Sequence, residues 1–376
     1  MTASSLGAIL RSLRAEQLKR LSYLCGLPVG GRKEELVARL TVAVGNAPLP
    51  SKSRAGPVVL SIDLGIRNLA FSLLAPVSSS AAPVSRKADT KSKKGSGANP
   101  SPSFLGTSPP TITLHAWQRL SLLESSTGDS TQDSGEDAPD VDTSTGVFAP
   151  AALAKTANAF LRETVLQFKP LPTHILIERQ RWRSGGAPAI QEWTVRVNTL
   201  EAMLHASLRT LRDVGVWKGE VVSIRPERVG QLFLDAEDRG TRRAAPRKEP
   251  EEDEVGDAST GKSRRKRTGG RTTSAESKKL KIELLNHWLG QGDLIVRPSN
   301  VEMGHMLDAY RDASKGTKRS RSKRVSEEAG AEEKLPILDR KLDDLTDSLM
   351  QGMAWLRWQE NMALLQLESG VEQLLG

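Results

Sequence analysis

The chain has one cysteine, Cys25, among 376 residues, so no internal disulfide can form and a reducing compartment is allowed. Five histidines and that single thiol are scattered, without the close spacing of a zinc cluster. No apolar run reaches the roughly 18–20 residues needed to cross a bilayer, so no membrane association is expected. Hydrophobic residues make up 38 % of the chain and aromatics only 4 %, against about 45–50 % apolar residues in an ordinary globular domain. The deficit is local: several polar stretches dilute an otherwise ordinary core. No internal repeat is evident.

There is an excess of positive charge. Lys and Arg number 54 against 45 Asp and Glu, a formal net charge of +9. That balance favours a polyanionic partner, because each phosphate neutralised releases a counterion. Charge alone does not separate a nucleic-acid binder from a protein with basic tails.

The organisation follows from where the polar stretches fall. Residues 10–44 read as a small helical unit: a helix through Leu13, Leu18, Leu21 and Leu24, a break at Gly26-Leu27-Pro28, a turn at Gly30-Gly31, and a second helix with Leu36, Val37 and Leu40 on one side. Lys19, Arg20, Arg32, Lys33 and Arg39 decorate its other side. Residues 57–76 read as two strands with a tight turn at Leu64-Gly65, and 111–123 as a third strand. A helix over about 149–168 precedes a short buried strand at 174–180. A long helix over 188–213 and a strand at 220–229 come next. Helices near 276–290 and 340–366 complete the pattern. Low-complexity inserts are expected at about 77–110, 124–146, 236–275 and 311–334. Strands followed by alternating helices and strands predict an α/β domain over 55–366, a mixed sheet flanked by helices. Insertions between elements cost little free energy.

Four acidic positions stand out. Asp63 ends the apolar run Val58–Ile62, and Glu178 ends His174–Ile177. A charge at the end of a strand buried on both faces is costly unless it is paired or bound to metal. Asp343 and Asp347 are four apart on the last helix and share a face, with Asp344 three before Asp347. Assembled, such carboxylates repel and raise one another's pKa. Divalent cations relieve that, and carboxylate oxygens are hard ligands suited to Mg²⁺ or Mn²⁺. Two such ions about 3.5–4 Å apart activate a water and stabilise the leaving oxygen of a phosphodiester. Each acid also has a plainer reading. Asp63 can cap a turn, Glu178 can pair with Arg179 or Arg181, and Asp343 and Asp344 can complement a helix dipole.

After Glu178 comes Arg179-Gln180-Arg181-Trp182-Arg183-Ser184-Gly185-Gly186. Guanidinium groups bind phosphate bidentately, and a tryptophan can stack on an exposed base. A solvated basic loop with Trp182 packed on the core is the alternative.

Four segments together resemble the fungal mitochondrial Holliday-junction resolvases, relatives of the bacterial RuvC-type resolvases. They are Ser61-Ile62-Asp63-Leu64-Gly65-Ile66-Arg67-Asn68, Ile177-Glu178-Arg179-Gln180-Arg181-Trp182-Arg183-Ser184, Glu192-Trp193-Thr194-Val195-Arg196-Val197-Asn198 and Lys341-Leu342-Asp343-Asp344-Leu345-Thr346-Asp347-Ser348. The resemblance implies a ribonuclease-H-like fold and a homodimer that nicks opposing strands of a four-way DNA junction in mitochondria. It implies that Asp63, Glu178, Asp343 and Asp347 hold Mg²⁺, with Asp344 a fifth candidate catalytic acid. It also implies DNA contacts from Arg67, Arg179, Gln180, Arg181 and Arg183, and no nucleotide cofactor. The bacterial relatives space their last two acids three apart, which selects Asp344 with Asp347.

The N-terminal unit resembles a SAP motif, a helix–turn–helix DNA-binding module, through Leu18-Lys19-Arg20-Leu21, Gly26-Leu27 and Gly31-Arg32-Lys33. Lys19, Arg20, Arg32, Lys33 and Arg39 would then contact backbone phosphate without reading sequence, and removing the unit would spare the chemistry. Residues 1–9 carry Ser and Thr and no acid, and open either a mitochondrial presequence or the helix that follows. Competing readings are another ribonuclease-H-like nuclease, a junction binder with a dead metal site, and an ATP-dependent sugar or acetate kinase. The kinase fold needs a second phosphate-binding Asp-x-Gly strand, and none is found.

Overall fold

The computed structural model describes residues 3–47, 56–77, 109–122, 146–180, 190–233, 274–292, 295–316 and 342–376. Its centre is a six-stranded mixed sheet: β1 (Val59–Asp63), β2 (Leu69–Pro76), β3 (Ile112–Leu120), β4 (His174–Glu178), β5 (Glu220–Ile224) and β6 (Val296–Pro298). The spatial order is β5-β4-β1-β2-β3-β6. β1, β2 and β3 form an antiparallel meander, while β4 lies parallel to β1 and β5 parallel to β4. This is the ribonuclease-H-like sheet that the resemblance implied, with β6 added beside β3.

Alternation along the strands divides the core in two. Leu60, Ile62, Phe71, Leu73, Ile175 and Ile177 face one side. There they meet α4 (Pro150–Ala159) and α5 (Glu192–Asp213) through Leu153, Ala157, Leu200 and Leu204. Val59, Leu74, Leu114, Trp117 and Leu176 face the other side. That side is covered by α6 (Ser274–Gly290), α7 (Val301–Gly316) and the long α8 (Leu342–Leu364). Ser61 shares its face with Val59, and so does Asp63.

The N-terminal unit comprises α1 (Ala3–Ser12), α2 (Ala15–Leu24) and α3 (Lys33–Asn46). The single helix expected from Leu13 to Leu24 starts at Ala15, and the boundary expected after residue 9 falls inside α1, whose Leu6 and Leu10 are buried. Nor is the unit a separate body. Leu18, Leu21, Leu36, Leu40 and Val44 belong to one core with Leu349, Met353, Trp358 and Leu365 of the C-terminal region, where α9 (Gly370–Leu375) also packs. Polar bonds fasten the seam. Asn361 Nδ2 donates to the Leu24 carbonyl (2.6 Å), Gln366 Nε2 to those of Val44 and Ala47 (2.8 and 2.9 Å), and Arg228 Nη1 to that of Gly26 (2.7 Å). Gly26 has φ +67°, and a Cβ there would stand 2.3 Å from the Trp358 ring. Only glycine allows both the left-handed turn and that close approach.

Three other expectations shift. The segment 311–316, expected to open an insert, is the last part of α7. Residues 274–275, expected in another insert, begin α6, and the long helix expected from 188 starts at Glu192. The strand β6 and most of α7 were not anticipated. Apart from residues 77, 109, 110 and 146, the remainder of the expected inserts, with Arg181, Trp182 and Arg183, lies outside the described residues.

Candidate metal centre

The site is built by register. In the parallel ladder Ile62 pairs with Ile177, which sets Asp63 and Glu178 side by side at the carboxyl ends of adjacent strands. Ligand sites of α/β sheets open at that end. The two side chains share a hydrogen bond, and with the charge of Glu178 this raises Asp63.

Helix α8 delivers the other acids, and a buried polar network sets its register on the sheet. Gln351 Nε2 donates to Ser61 Oγ (3.1 Å) and to the Ile62 carbonyl (3.2 Å). Ser72 Oγ donates to the Ser348 carbonyl (3.0 Å), and Trp117 Nε1 to that of Leu345 (3.0 Å). Tyr310 and Thr346 exchange a hydroxyl bond of 2.6 Å. Gly352 lets the helix lie close, since a Cβ there would be 2.5 Å from Leu74. Asp347 is one turn before Gln351 on the same face, and this brings it toward Asp63.

Asp63 is held well above the usual carboxylate range. Burial is the largest cause, followed by the hydrogen bond with Glu178 and the charges of Glu178, Asp347 and Asp344. Asp343 is not among these neighbours. Its carboxylate takes an ion pair from Lys278 Nζ at 2.6 Å. Burial pushes Asp343 upward, but the Lys278 hydrogen bond and charge outweigh it, and the group sits below its ordinary value. Lys278 is raised in turn, chiefly by the same bond. One turn further along α6, Lys281 Nζ lies 2.8 Å from Asp347 Oδ1. Asp343, expected among the metal ligands with Asp347, is thus directed to α6, while Asp344 acts on Asp63.

The lysines of α6 were not singled out in the sequence, nor were Gln351, Ser61, Ser72 and Tyr310. A Lys pair at i and i+3 is the only trace that Lys278 and Lys281 leave, and it is common on solvated helices.

Among the described residues, no three His, Cys, Asp or Glu side chains already stand as a metal-ligating cluster. Asp63 and Glu178 stand as a hydrogen-bonded pair, and Asp343 and Asp347 are held by the ammonium groups of Lys278 and Lys281. Their chemistry fits a hard divalent cation: every donor is a carboxylate oxygen, and the repulsion that raises Asp63 is what such a cation relieves.

A cleft of about 340 Å³ opens beside Glu178, bordered by Leu64, Arg179, Gln180, Trp193 and Thr194. Arg179 is exposed, and its backbone N–H donates to the Ile224 carbonyl at 2.7 Å. Gln180 is anchored twice, through its backbone N–H on Glu201 Oε2 (3.1 Å) and its Nε2 on the Leu64 carbonyl (3.3 Å). Arg67 is exposed after β1. On the N-terminal unit, Arg20, Arg32 and Lys33 are exposed and Lys19 pairs with Glu16 at 2.9 Å. Arg39, half-buried, donates to the carbonyls of Pro28 and Gly30 and so closes the α2–α3 turn.

Residues 59–365 match the family described as mitochondrial resolvase Ydc2 / RNA splicing MRS1. The chain belongs to that family. A curated relative, the mitochondrial cruciform cutting endonuclease 1 of Schizosaccharomyces pombe, is 30 % identical over 191 residues, which cover 50 % of this chain and 53 % of the relative. The match thus spans about half the length of that curated relative. The crystal structure of the yeast mitochondrial Holliday junction resolvase Ydc2 superposes with a TM-score of 0.50 at 20 % identity, over 96 % of this chain and 98 % of that one. The superposition establishes the Ydc2 fold for the sheet and helices described above.

Proposed function

We propose that this Ydc2-family chain is a metal-dependent DNA endonuclease that resolves four-way junctions. The observation that supports the reading is the hydrogen-bonded pair Asp63–Glu178 at adjacent strand ends, with Asp344 and Asp347 of α8 near enough for their charges to raise Asp63. A cluster of carboxylates would activate water as the nucleophile rather than attack phosphorus itself. Asp63, Glu178, Asp347 and Asp344 would hold Mg²⁺, or Mn²⁺ in its place, with Asp343 an alternative to Asp344. The ions would supply an activated water and charge neutralisation at the leaving oxygen.

The protein's own groups do the rest. Glu178 and Asp63 would hold the cation between adjacent strand ends, where its charge would offset their repulsion. Lys281, 16 % exposed, ion-pairs with Asp347 and would position its carboxylate. Arg179, at the rim, binds the backbone next to the scissile bond, with Arg67, Gln180, Arg181 and Arg183 as further contacts. Arg20, Arg32 and Lys33, with Lys19, on a SAP-type unit add affinity for phosphates without reading sequence. Two opposing nicks require two sites, which a homodimer provides. Residence in mitochondria follows the names of the family and of the relative.

Incubation of the full chain with a synthetic four-way junction, a linear duplex and an RNA–DNA hybrid tests this, with Mg²⁺ and with EDTA. Paired nicks are expected in the junction alone, and only with metal. Asp63→Asn is expected to abolish cleavage and leave junction binding intact. Equal cutting of the hybrid, or junction binding with no cutting under any divalent ion, overturns the proposal.

A further inference from the structure

The cleft beside Glu178 has a wall that the metal chemistry does not use. Trp193, in the first turn of α5, lines it while remaining 40 % exposed. Its orientation is set from behind. The Phe148 ring meets Trp193 edge-on at 6.0 Å and 80°, and the Arg196 guanidinium lies 3.8 Å over the Phe148 ring. Arg196 is itself ion-paired with Glu192 one turn away. These contacts brace the indole from behind, which lowers the ordering cost of seating a ligand on its open face.

The rest of the cleft is polar. Thr194 and the doubly anchored Gln180 border it, and Arg179 stands at its mouth. Its volume of about 340 Å³ is at the small end of ligand pockets, which run from about 300 to 1,000 Å³. One flat aromatic group fits such a space better than an extended chain. An aromatic face, a polar edge and an arginine at the mouth are what a nucleobase with its phosphate requires.

We propose that Trp193 stacks on a single unstacked base of the substrate DNA, next to the phosphate held at Glu178, and that this cleft sets which junction positions are cut. The inference rests on the junction-resolving reading above. A four-way junction presents distorted bases at its crossover, where removing one from the stack costs least. The base enters the cleft, its face lies on the indole, and its edge meets Gln180 and Thr194. Stacking supplies affinity for any base; the polar edge supplies preference among them.

The test uses the full chain in EDTA, bound to a four-way junction carrying 5-iodouracil at single positions on either side of the crossover. Irradiation is followed by mass-spectrometric mapping of the adduct. An adduct on Trp193 is expected from one position next to the crossover. Trp193→Ala is expected to lose it and to weaken junction binding roughly fivefold to a hundredfold, the range of one aromatic–base stack. Trp193→Phe is expected to restore most of the affinity. With Mg²⁺, Trp193→Ala is expected to flatten the spread of cleavage rates over junctions differing in the base beside the crossover. Junctions that bind and are cut, with no adduct on Trp193 and the same spread in Trp193→Ala, overturn the proposal and leave the nuclease reading standing. Failure to bind junctions at all overturns both. Sedimentation of Trp193→Ala as a smaller assembly than wild type also overturns the proposal, because the indole then serves contact with a second copy.

Discussion

Asp63 and Glu178 ended their strands in the sequence with a visible cost, a charge closing an apolar run. That cost made them legible. The choice among Asp343, Asp344 and Asp347 was not, because three acids within two turns face the sheet or not according to how the helix crosses it. That crossing is fixed by Gln351 on Ser61 and Ile62, contacts 289 and 290 residues apart in the chain. The side chains now predict different outcomes for two neighbouring substitutions. Asp344→Asn is expected to weaken Mn²⁺ binding, read by calorimetry, at least tenfold, and to cut nicking by a larger factor. Asp343→Asn is expected to release Lys278 and to change metal affinity less than about threefold. The reverse ranking would favour Asp343 over Asp344 as the ligand.

The raised pKa of Asp63 has a thermodynamic consequence at the same scale. An acid whose folded value lies above its unfolded one contributes stability at low pH. That contribution is lost as pH rises through the folded value. The metal-free protein is therefore expected to melt at progressively lower temperature as pH rises from the ordinary aspartate value of 3.8 through the raised value of Asp63. Asp343 has the opposite sign, its contribution fading only as pH falls through its lowered value. Thermal melts in EDTA across acidic to neutral pH, compared with melts of Asp63→Asn, check this. A wild-type slope matching that of the variant would remove Asp63 as its source.

At the scale of elements, α8 depends on close approach. Its Gly352 rests on Leu74 and on Ser61, whose Cβ lies 3.2 Å from the position a new methyl would take. Gly352→Ala is expected to lift the helix locally and to cost roughly 1–3 kcal/mol, the range of core overpacking. It should also reduce nicking more than stability explains, because Asp347 moves with the helix. Denaturant titration beside a cleavage assay separates the two effects. Helix α8 itself was evident from Leu342, Leu345, Leu349 and Met353 at helical spacing. Helix α7 carried the same signal in Met303, Met306, Leu307 and Tyr310, yet a charged run beginning inside it hid the pattern. β6, three residues long, offers too few positions for alternation to show. Lys278 and Lys281 were beyond reach because only the tertiary placement of α6 turns them toward the acids.

For the molecule as a whole, the main surprise is the seam between the N-terminal helices and α8. Sequence showed the α2–turn–α3 pattern, but not that its apolar face closes the same core as the catalytic helix. Deletion of residues 1–47 is accordingly expected to expose Trp358 and Leu349, lower the melting temperature sharply and abolish nicking. A deletion that melts like the full chain and still nicks would show the unit to be separable. Surface changes such as Arg20→Ala with Lys33→Ala are expected instead to weaken junction binding without moving the melting temperature, and to reduce its salt dependence.

The pairing of Ile62 with Ile177 has a consequence for how this chain tolerates change. The two acids it sets side by side are separated by 114 intervening residues, most of them in connections that leave the sheet and return. Backbone ladders measure distance across strands, not along the chain, so length added to or taken from those connections leaves the spacing of the pair untouched. A one-residue slip of β4 against β1 would not: it would turn Glu178 to the opposite face and separate the couple at once.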